Sequence, residues 1–352
     1  MIELCVYLQA RLSTLDQLKQ ALNTSDSTKQ FGEDLAAVLN RADFSRGSEV
    51  NNSKAILDDV RTMLQCQYGK MGSLFGRLMD QGPLTKAFVQ PEIVKEKTGG
   101  LDGKLKNMVS VQSYQDLWPN LRYSTLIDIE GAPGVGKTTY VNKLVLDWTL
   151  DANDKDYSEQ SRFLQEQFAV LFALQLGKVP DPDDRPPTTL IQLADMQLKG
   201  CGQWLVDQFE RQPKKCLLIL DGFDDYSERL CPEINEILLK KRFPNLNVLV
   251  TTRPSHTDEP LLDCASQLLT MTGFTTQQQR EEFLQKQGFD KSLIDSASKD
   301  SGVKRTLVRN LQKLWETPQY LAIFCVLQND HRLPEFDAGR PDCFFLNSSP
   351  ST

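Results

Sequence analysis

Residues Gly131-Ala132-Pro133-Gly134-Val135-Gly136-Lys137-Thr138-Thr139 follow the spacing G-x-x-x-x-G-K-[ST]. This pattern lets successive backbone N–H groups curl around a phosphate. The glycines permit positive φ angles and an approach that a β-carbon would block. Lys137 then brings an ammonium to the outer phosphates, and the Thr138 hydroxyl is a ligand for Mg²⁺.

A second cluster, Asp221-Gly222-Phe223-Asp224-Asp225, ends the apolar run Cys216-Leu217-Leu218-Ile219-Leu220. Carboxylates at the carboxyl end of a parallel strand stand beside the crevice where ligands bind. Asp221 is the candidate metal anchor, and either Asp224 or Asp225 is placed to polarise an attacking water. A third cluster, Thr251-Thr252-Arg253-Pro254, closes the run Val248-Leu249-Val250. A guanidinium there either forks onto a terminal phosphate or pairs with a carboxylate, and spacing alone leaves both open.

These groups need a scaffold. Leu126-Ile127-Asp128-Ile129 before the loop reads as a buried strand, and Val141, Leu144, Val145 and Trp148 after it share one helical face. Strand, glycine-rich loop and helix N-terminus aim amides and dipole at an anion. Strands are expected at 126–130, 168–174, 216–220, 247–251 and about 267–271, alternating with helices. That order predicts an α/β fold, a doubly wound parallel five-stranded sheet of the P-loop NTPase type. Helical spacing before and after it divides the chain into an N-terminal helical region (1–95), a connector (96–125), the nucleotide-binding domain (126–275), a helical domain (276–330) and a disordered tail (331–352).

Composition narrows the function classes. The net charge of −7 argues against broad binding to nucleic acid. Lys214-Lys215 and Lys240-Lys241-Arg242 read as solvated faces. The 8 cysteines lack C-x-x-C spacing, and Cys216 and Cys325 sit in apolar runs as buried thiols. No stretch has the roughly 18 uncharged apolar residues of a membrane span, so a cytoplasmic protein is expected.

Taken together, Gly131–Thr139, Leu217–Asp225 and Val248–Pro254 resemble the NACHT family of signal-transducing, STAND-class P-loop NTPases. The resemblance covers roughly residues 88–330. It includes Phe88-Val89-Gln90-Pro91, Asp147-Trp148, Gly273-Phe274 and Trp315-Glu316-Thr317-Pro318. It implies ATP, dATP or ADP with Mg²⁺, and an Arg253 strand lying between the other two motif strands. It also implies Arg253 as first sensor, Pro318 against adenine, and homo-oligomerisation in the ATP-bound form. From the residues alone, Pro318 is only a proline that starts a helix. The family usually carries Glu where Asp225 stands, which implies slow or weak hydrolysis. The family's winged-helix histidine has no counterpart here, so a truncated or short-form member is expected.

The resulting expectation is a nucleotide-controlled oligomerisation switch, with innate-immune or cell-death signalling implied by the resemblance. An adaptor protein recruited by the N-terminal helices is a candidate partner. Two other readings stand beside it: a scaffold that binds nucleotide without hydrolysing it, and another P-loop ATPase of the AAA+ type.

Overall fold

The computed structural model describes residues 49–69, 83–96, 108–118, 124–178, 187–225, 231–254, 264–289 and 313–329. The chain divides into two units, residues 1–59 and 60–352. The part of the N-terminal helical region before residue 49 and the tail from 331 lie outside the described residues.

One sheet dominates the second unit. Its strands are β1 (Glu92–Glu96), β2 (Met108–Ser110), β3 (Leu126–Glu130), β4 (Val170–Gln175), β5 (Cys216–Asp221), β6 (Asn247–Thr252) and β7 (Gln267–Gly273), in the order β2-β1-β7-β3-β6-β5-β4. From β7 to β4 every pairing is parallel. The five parallel strands are those the apolar runs predicted, and the Arg253 strand β6 does lie between β3 and β5. Every residue of β4, β5 and β6 is buried, as a parallel sheet covered on both faces requires.

Two strands go beyond the expected five. β1 pairs antiparallel with both β7 and β2, so the sheet has seven strands. β1 falls in the stretch assigned to helix. The segment 96–125, read as a plain connector, contains β2 and a helical turn at Tyr114–Leu117. Such short elements carry too few residues for a period to emerge, and a partner distant in sequence decides their state. One strand boundary also shifts. Phe168 caps the preceding helix through a 2.8 Å bond from its N–H to the Leu164 carbonyl, so β4 starts at Val170.

The helices that matter for the site are α1 (Glu49–Tyr68), α2 (Leu84–Ala87), α3 (Tyr114–Leu117), α4 (Lys137–Thr149), α5 (Glu159–Gln167) and, beyond the sheet, α6 (Gln277–Lys286) and α7 (Pro318–Asn329). Val141, Leu144, Val145 and Trp148 are all fully buried, which makes them the core face of α4. The Trp148 indole N–H donates to the Phe168 carbonyl at 2.8 Å, tying α4 to the start of β4. Asp147 is buried between the Lys143 ammonium (2.5 Å) and the Tyr114 hydroxyl (2.9 Å), so its place is structural. The end of α1 also belongs to this core: Val60, Met63, Leu64 and Tyr68 are buried, and the Tyr68 hydroxyl donates to the Ala173 carbonyl at 3.1 Å.

A smaller apolar cluster joins segments on both sides of the sheet domain. Val89, Phe274, Phe283, Leu284, Trp315, Leu321, Ala322 and Cys325 pack together, with Phe324 against them. This cluster fixes α7 beside the residues that follow β7. Cys216 and Cys325 are buried as expected, and burial pushes both thiols up to about 12. The basic pairs are less free than their composition suggested. Lys215 donates to the Glu166 carbonyl at 2.9 Å, Lys240 to the Leu246 carbonyl at 2.8 Å, and Arg242 pairs with Glu233 at 2.5 Å. No described helix is long and apolar enough to cross a membrane.

Candidate nucleotide site

The loop between β3 and α4 is built by its glycines. Gly134 (φ 81°) and Gly136 (φ 107°) are left-handed, a conformation costly to any residue with a β-carbon. Gly131 is required for another reason: a β-carbon there would lie 2.9 Å from both the Met271 carbonyl oxygen and Val135 Cγ2. Its N–H donates to the Thr252 carbonyl at 3.1 Å, which fastens the loop to β6. Gly136 caps α4, whose first residue is Lys137. The Lys137 ammonium bends back onto its own loop, donating to the carbonyls of Gly131 and, at 3.3 Å, Ala132.

A cavity of about 390 Å³ opens above this loop. Pro133, Gly134, Val135, Gly136, Lys137, Thr138 and Thr139 line it, together with Asp221, Gly222, Asp224, Thr251 and Arg253 from the ends of β5 and β6. Gly131 and Ala132 stand at the base of the loop as its anchor and as an acceptor for Lys137. Leu84, Phe88, Val89, Phe274, Phe283, Pro318 and Ala322 add apolar side chains to the same lining. A lining that combines a glycine-rich phosphate loop with apolar side chains suits a phosphate chain attached to a flat base. Of the residues expected here, the described side chains of all but Gly131 and Ala132 meet in this one space. Asp225 lies in the turn after β5, and its side chain is outside the described set.

Asp221 is buried at the end of β5. Its Oδ1 accepts from the Thr251 hydroxyl at 2.7 Å, and that hydroxyl oxygen accepts in turn from the Gly222 N–H at 2.9 Å. Thr251 therefore holds the metal-anchor candidate in place, a role that nothing in its spacing announced. Asp221 with the Thr138 hydroxyl is a set of hard oxygen donors facing one cavity, which fits Mg²⁺ completed by water and phosphate. Arg253 meets a carboxylate from within the site itself: its Nε donates to Asp224 Oδ2 at 2.7 Å.

Asp128 was also missed. It sits inside β3, fully buried, with Oδ1 accepting from the Thr252 hydroxyl at 2.9 Å and Oδ2 without a hydrogen-bond partner. Burial raises its carboxyl to about 7; the Thr252 bond opposes this, the Glu130 charge adds to it and Lys137 opposes it.

The start of α7 lines the cavity beside the loop. A β-carbon at Gly134 would collide with the Gln319 side chain. One at Gly273 (φ 94°) would strike the Glu316 carbonyl and come within 3.2 Å of Pro318 Cδ. The Phe274 N–H donates to the Glu316 carbonyl at 2.7 Å, and the Gln319 N–H to the Gly134 carbonyl at 3.2 Å. Pro318 thus stands between the glycines of two distant segments. Its sequence signal, a proline opening an apolar helix, gave no hint of Gln319.

A parallel sheet with this loop, a buried aspartate on a neighbouring strand and an arginine on the strand between defines a P-loop NTPase. Residues 125–290, just under half of the chain, match the family model described as NACHT domain. Among curated relatives, NACHT, LRR and PYD domains-containing protein 10 of Mus musculus is 30% identical over 185 residues, 50% of this chain and 24% of that protein. NACHT, LRR and PYD domains-containing protein 3 of Bos taurus is 28% identical over 176 residues, 44% of this chain and 15% of that protein. The matched stretch therefore spans about a quarter or less of either relative. Among solved structures, the Thermotoga maritima RuvB Holliday junction branch migration motor is 13% identical with a TM-score of 0.33, covering 62% of this chain and 57% of that one.

Proposed function

We propose that this chain binds ATP with Mg²⁺ and acts as a nucleotide-controlled oligomerisation switch in innate-immune signalling. In this reading Lys137 and the amides of the loop Gly131–Thr139 hold the phosphates. Thr138 and Asp221 hold the metal, and Pro318 packs on the adenine. Arg253 contacts the γ-phosphate. Bound Mg²⁺ would supply charge neutralisation across the outer phosphates. The adaptor role of the N-terminal helices is a further proposal, carried by the family alone.

One observation carries the reading. The start of α7 forms a wall of the same cavity as the phosphate loop, joined to it by the bond from Gln319 N–H to Gly134 O. A ligand that fills that cavity touches both the sheet domain and the helical segment. Its phosphate number can therefore bias their relative arrangement, which is what a switch requires. Hydrolysis is slow in this reading: Asp224, one of the two candidates for orienting water, is engaged by Arg253. The same pairing supports the second reading, a scaffold that binds ATP and does not turn it over.

Titration of the full chain with a fluorescent ATP analogue tests the binding, and mass photometry in ATP or ADP tests the switch. Lys137→Ala is expected to weaken binding by about a hundredfold or more, and ATP alone to shift the mass distribution upwards. Unchanged affinity in Lys137→Ala sinks the nucleotide reading. Identical masses in both nucleotides sink the switch and leave the scaffold. Single-turnover measurement with radiolabelled ATP separates slow hydrolysis from none.

A further inference from the structure

We propose that Asp224 is a clasp for Arg253, and that this ion pair sets how strongly the site prefers a nucleoside triphosphate over a diphosphate. The inference rests on the reading of Arg253 as the γ-phosphate contact. It assigns Asp224 a positioning role on that residue.

The pair is unequal in its surroundings. The Asp224 side chain is 3% exposed and the Arg253 side chain 43%. A buried carboxylate depends on its cation, whereas a half-exposed guanidinium is weakly hydrated and can turn to another anion at small cost. Both groups line the cavity that holds the phosphate loop. A terminal phosphate reaching that end offers the guanidinium several oxygens and more charge than one carboxylate, so the two anions compete for one cation. Opening the clasp is then a fixed cost subtracted from every γ-phosphate contact. A diphosphate ends short of this contact and leaves the clasp closed.

The backbone keeps the competition local. Gly222 (φ 77°) turns the chain sharply after β5, and the short 3₁₀ turn Phe223–Asp225 brings Asp224 back towards the cavity. Thr251 accepts from the Gly222 N–H and donates to Asp221, which pins that turn to β6 next to Arg253. The carboxylate is thus held by the sheet, and the long arginine side chain is the part able to move.

Calorimetric titration of the full chain with ATPγS and with ADP, both in Mg²⁺ buffer, tests the clasp. Asp224→Asn is expected to tighten ATPγS about 3- to 10-fold and to leave ADP within about twofold. Arg253→Ala is expected to bring ATPγS to the ADP level, and Asp224→Asn added to it is expected to change nothing more. Asp224→Ser, a smaller neutral substitution, is expected to act in the same direction if Asp224→Asn does not fold. Equal tightening of both nucleotides in Asp224→Asn, or no tightening of ATPγS, overturns the clasp. Retention of the triphosphate preference in Arg253→Ala overturns the γ-phosphate reading beneath it. A parent protein that binds neither ATPγS nor ADP overturns the nucleotide site and the clasp with it.

Discussion

The backbone N–H of Gln319 donates to the carbonyl of Gly134 at 3.2 Å, and the Gln319 side chain lies across that glycine. The first turn of α7 and the phosphate loop therefore share one surface. No contact of Gly134 with its own neighbours in sequence would create that coupling.

Gly134→Ala is expected to break it. The new β-carbon enters a left-handed residue at φ 81° and meets the Gln319 carboxamide. The strained conformation costs about 1–2 kcal/mol before the collision is counted. Nucleotide affinity should fall at least about tenfold, read by fluorescence titration. Gln319→Ala in the same chain should recover part of the loss by removing the carboxamide, the nearest clashing group, while its own β-carbon stays 2.9 Å from the new one; a double variant no better than Gly134→Ala contradicts the carboxamide contact.

Thr251→Val is nearly the same shape and removes one hydroxyl. It leaves Asp221 without the 2.7 Å donor and the Gly222 N–H without its acceptor. Loss of hydrogen-bond partners at a buried carboxylate costs about 1–3 kcal/mol. Chemical denaturation should report that loss. Titration with and without Mg²⁺ should show a smaller metal-dependent gain in nucleotide affinity than in the parent protein. Unaltered Mg²⁺ dependence would mean that Thr251 only packs.

Asp128 gives a pH dependence with a definite sign. Its carboxyl stands at about 7 in the folded chain, above the ordinary value that it takes when unfolded. Between those values the folded state binds the extra proton, so the contribution of Asp128 to stability is fully present below about pH 4, declines as pH rises to about 7 and is level above that. The integrated loss is on the order of 4 kcal/mol. Asp128→Asn should flatten this slope and exceed the parent protein in stability at pH 8, measured by denaturation across pH 5 to 8. Parallel pH profiles for the two proteins would refute the assignment.

Trp315 tests how α7 is held. It is buried, and its ring stands 5.2 Å from that of Phe324 within the cluster around Phe274 and Phe283. Truncating a buried tryptophan costs about 3–5 kcal/mol. Trp315→Ala should loosen residues 318–325 while β5 stays intact. Hydrogen exchange would show protection lost in the first and kept in the second. Nucleotide affinity should drop roughly tenfold, because the Pro318 wall then leaves the cavity; affinity equal to the parent's would separate α7 from binding.

By itself the sequence determined the phosphate loop, the five parallel strands and the placing of Asp221 and Arg253 at strand ends. These features are written in short stretches of backbone chemistry: glycines where φ is positive, an apolar run where both faces of a strand are covered, a carboxylate where that run stops. Its limits were equally physical. For Arg253 it left phosphate and carboxylate both open, and only the adjacency of β5 and β6 brings the guanidinium to Asp224. β1 is a strand because β7 offers it an edge to pair with, and β2 because β1 then offers the next one. Thr251 and Gln319 matter because tertiary packing sets them against Asp221 and Gly134. Local conformational preference names the groups that can meet a phosphate, whereas the order of the strands and the docking of a distant helix decide which of them meet one another.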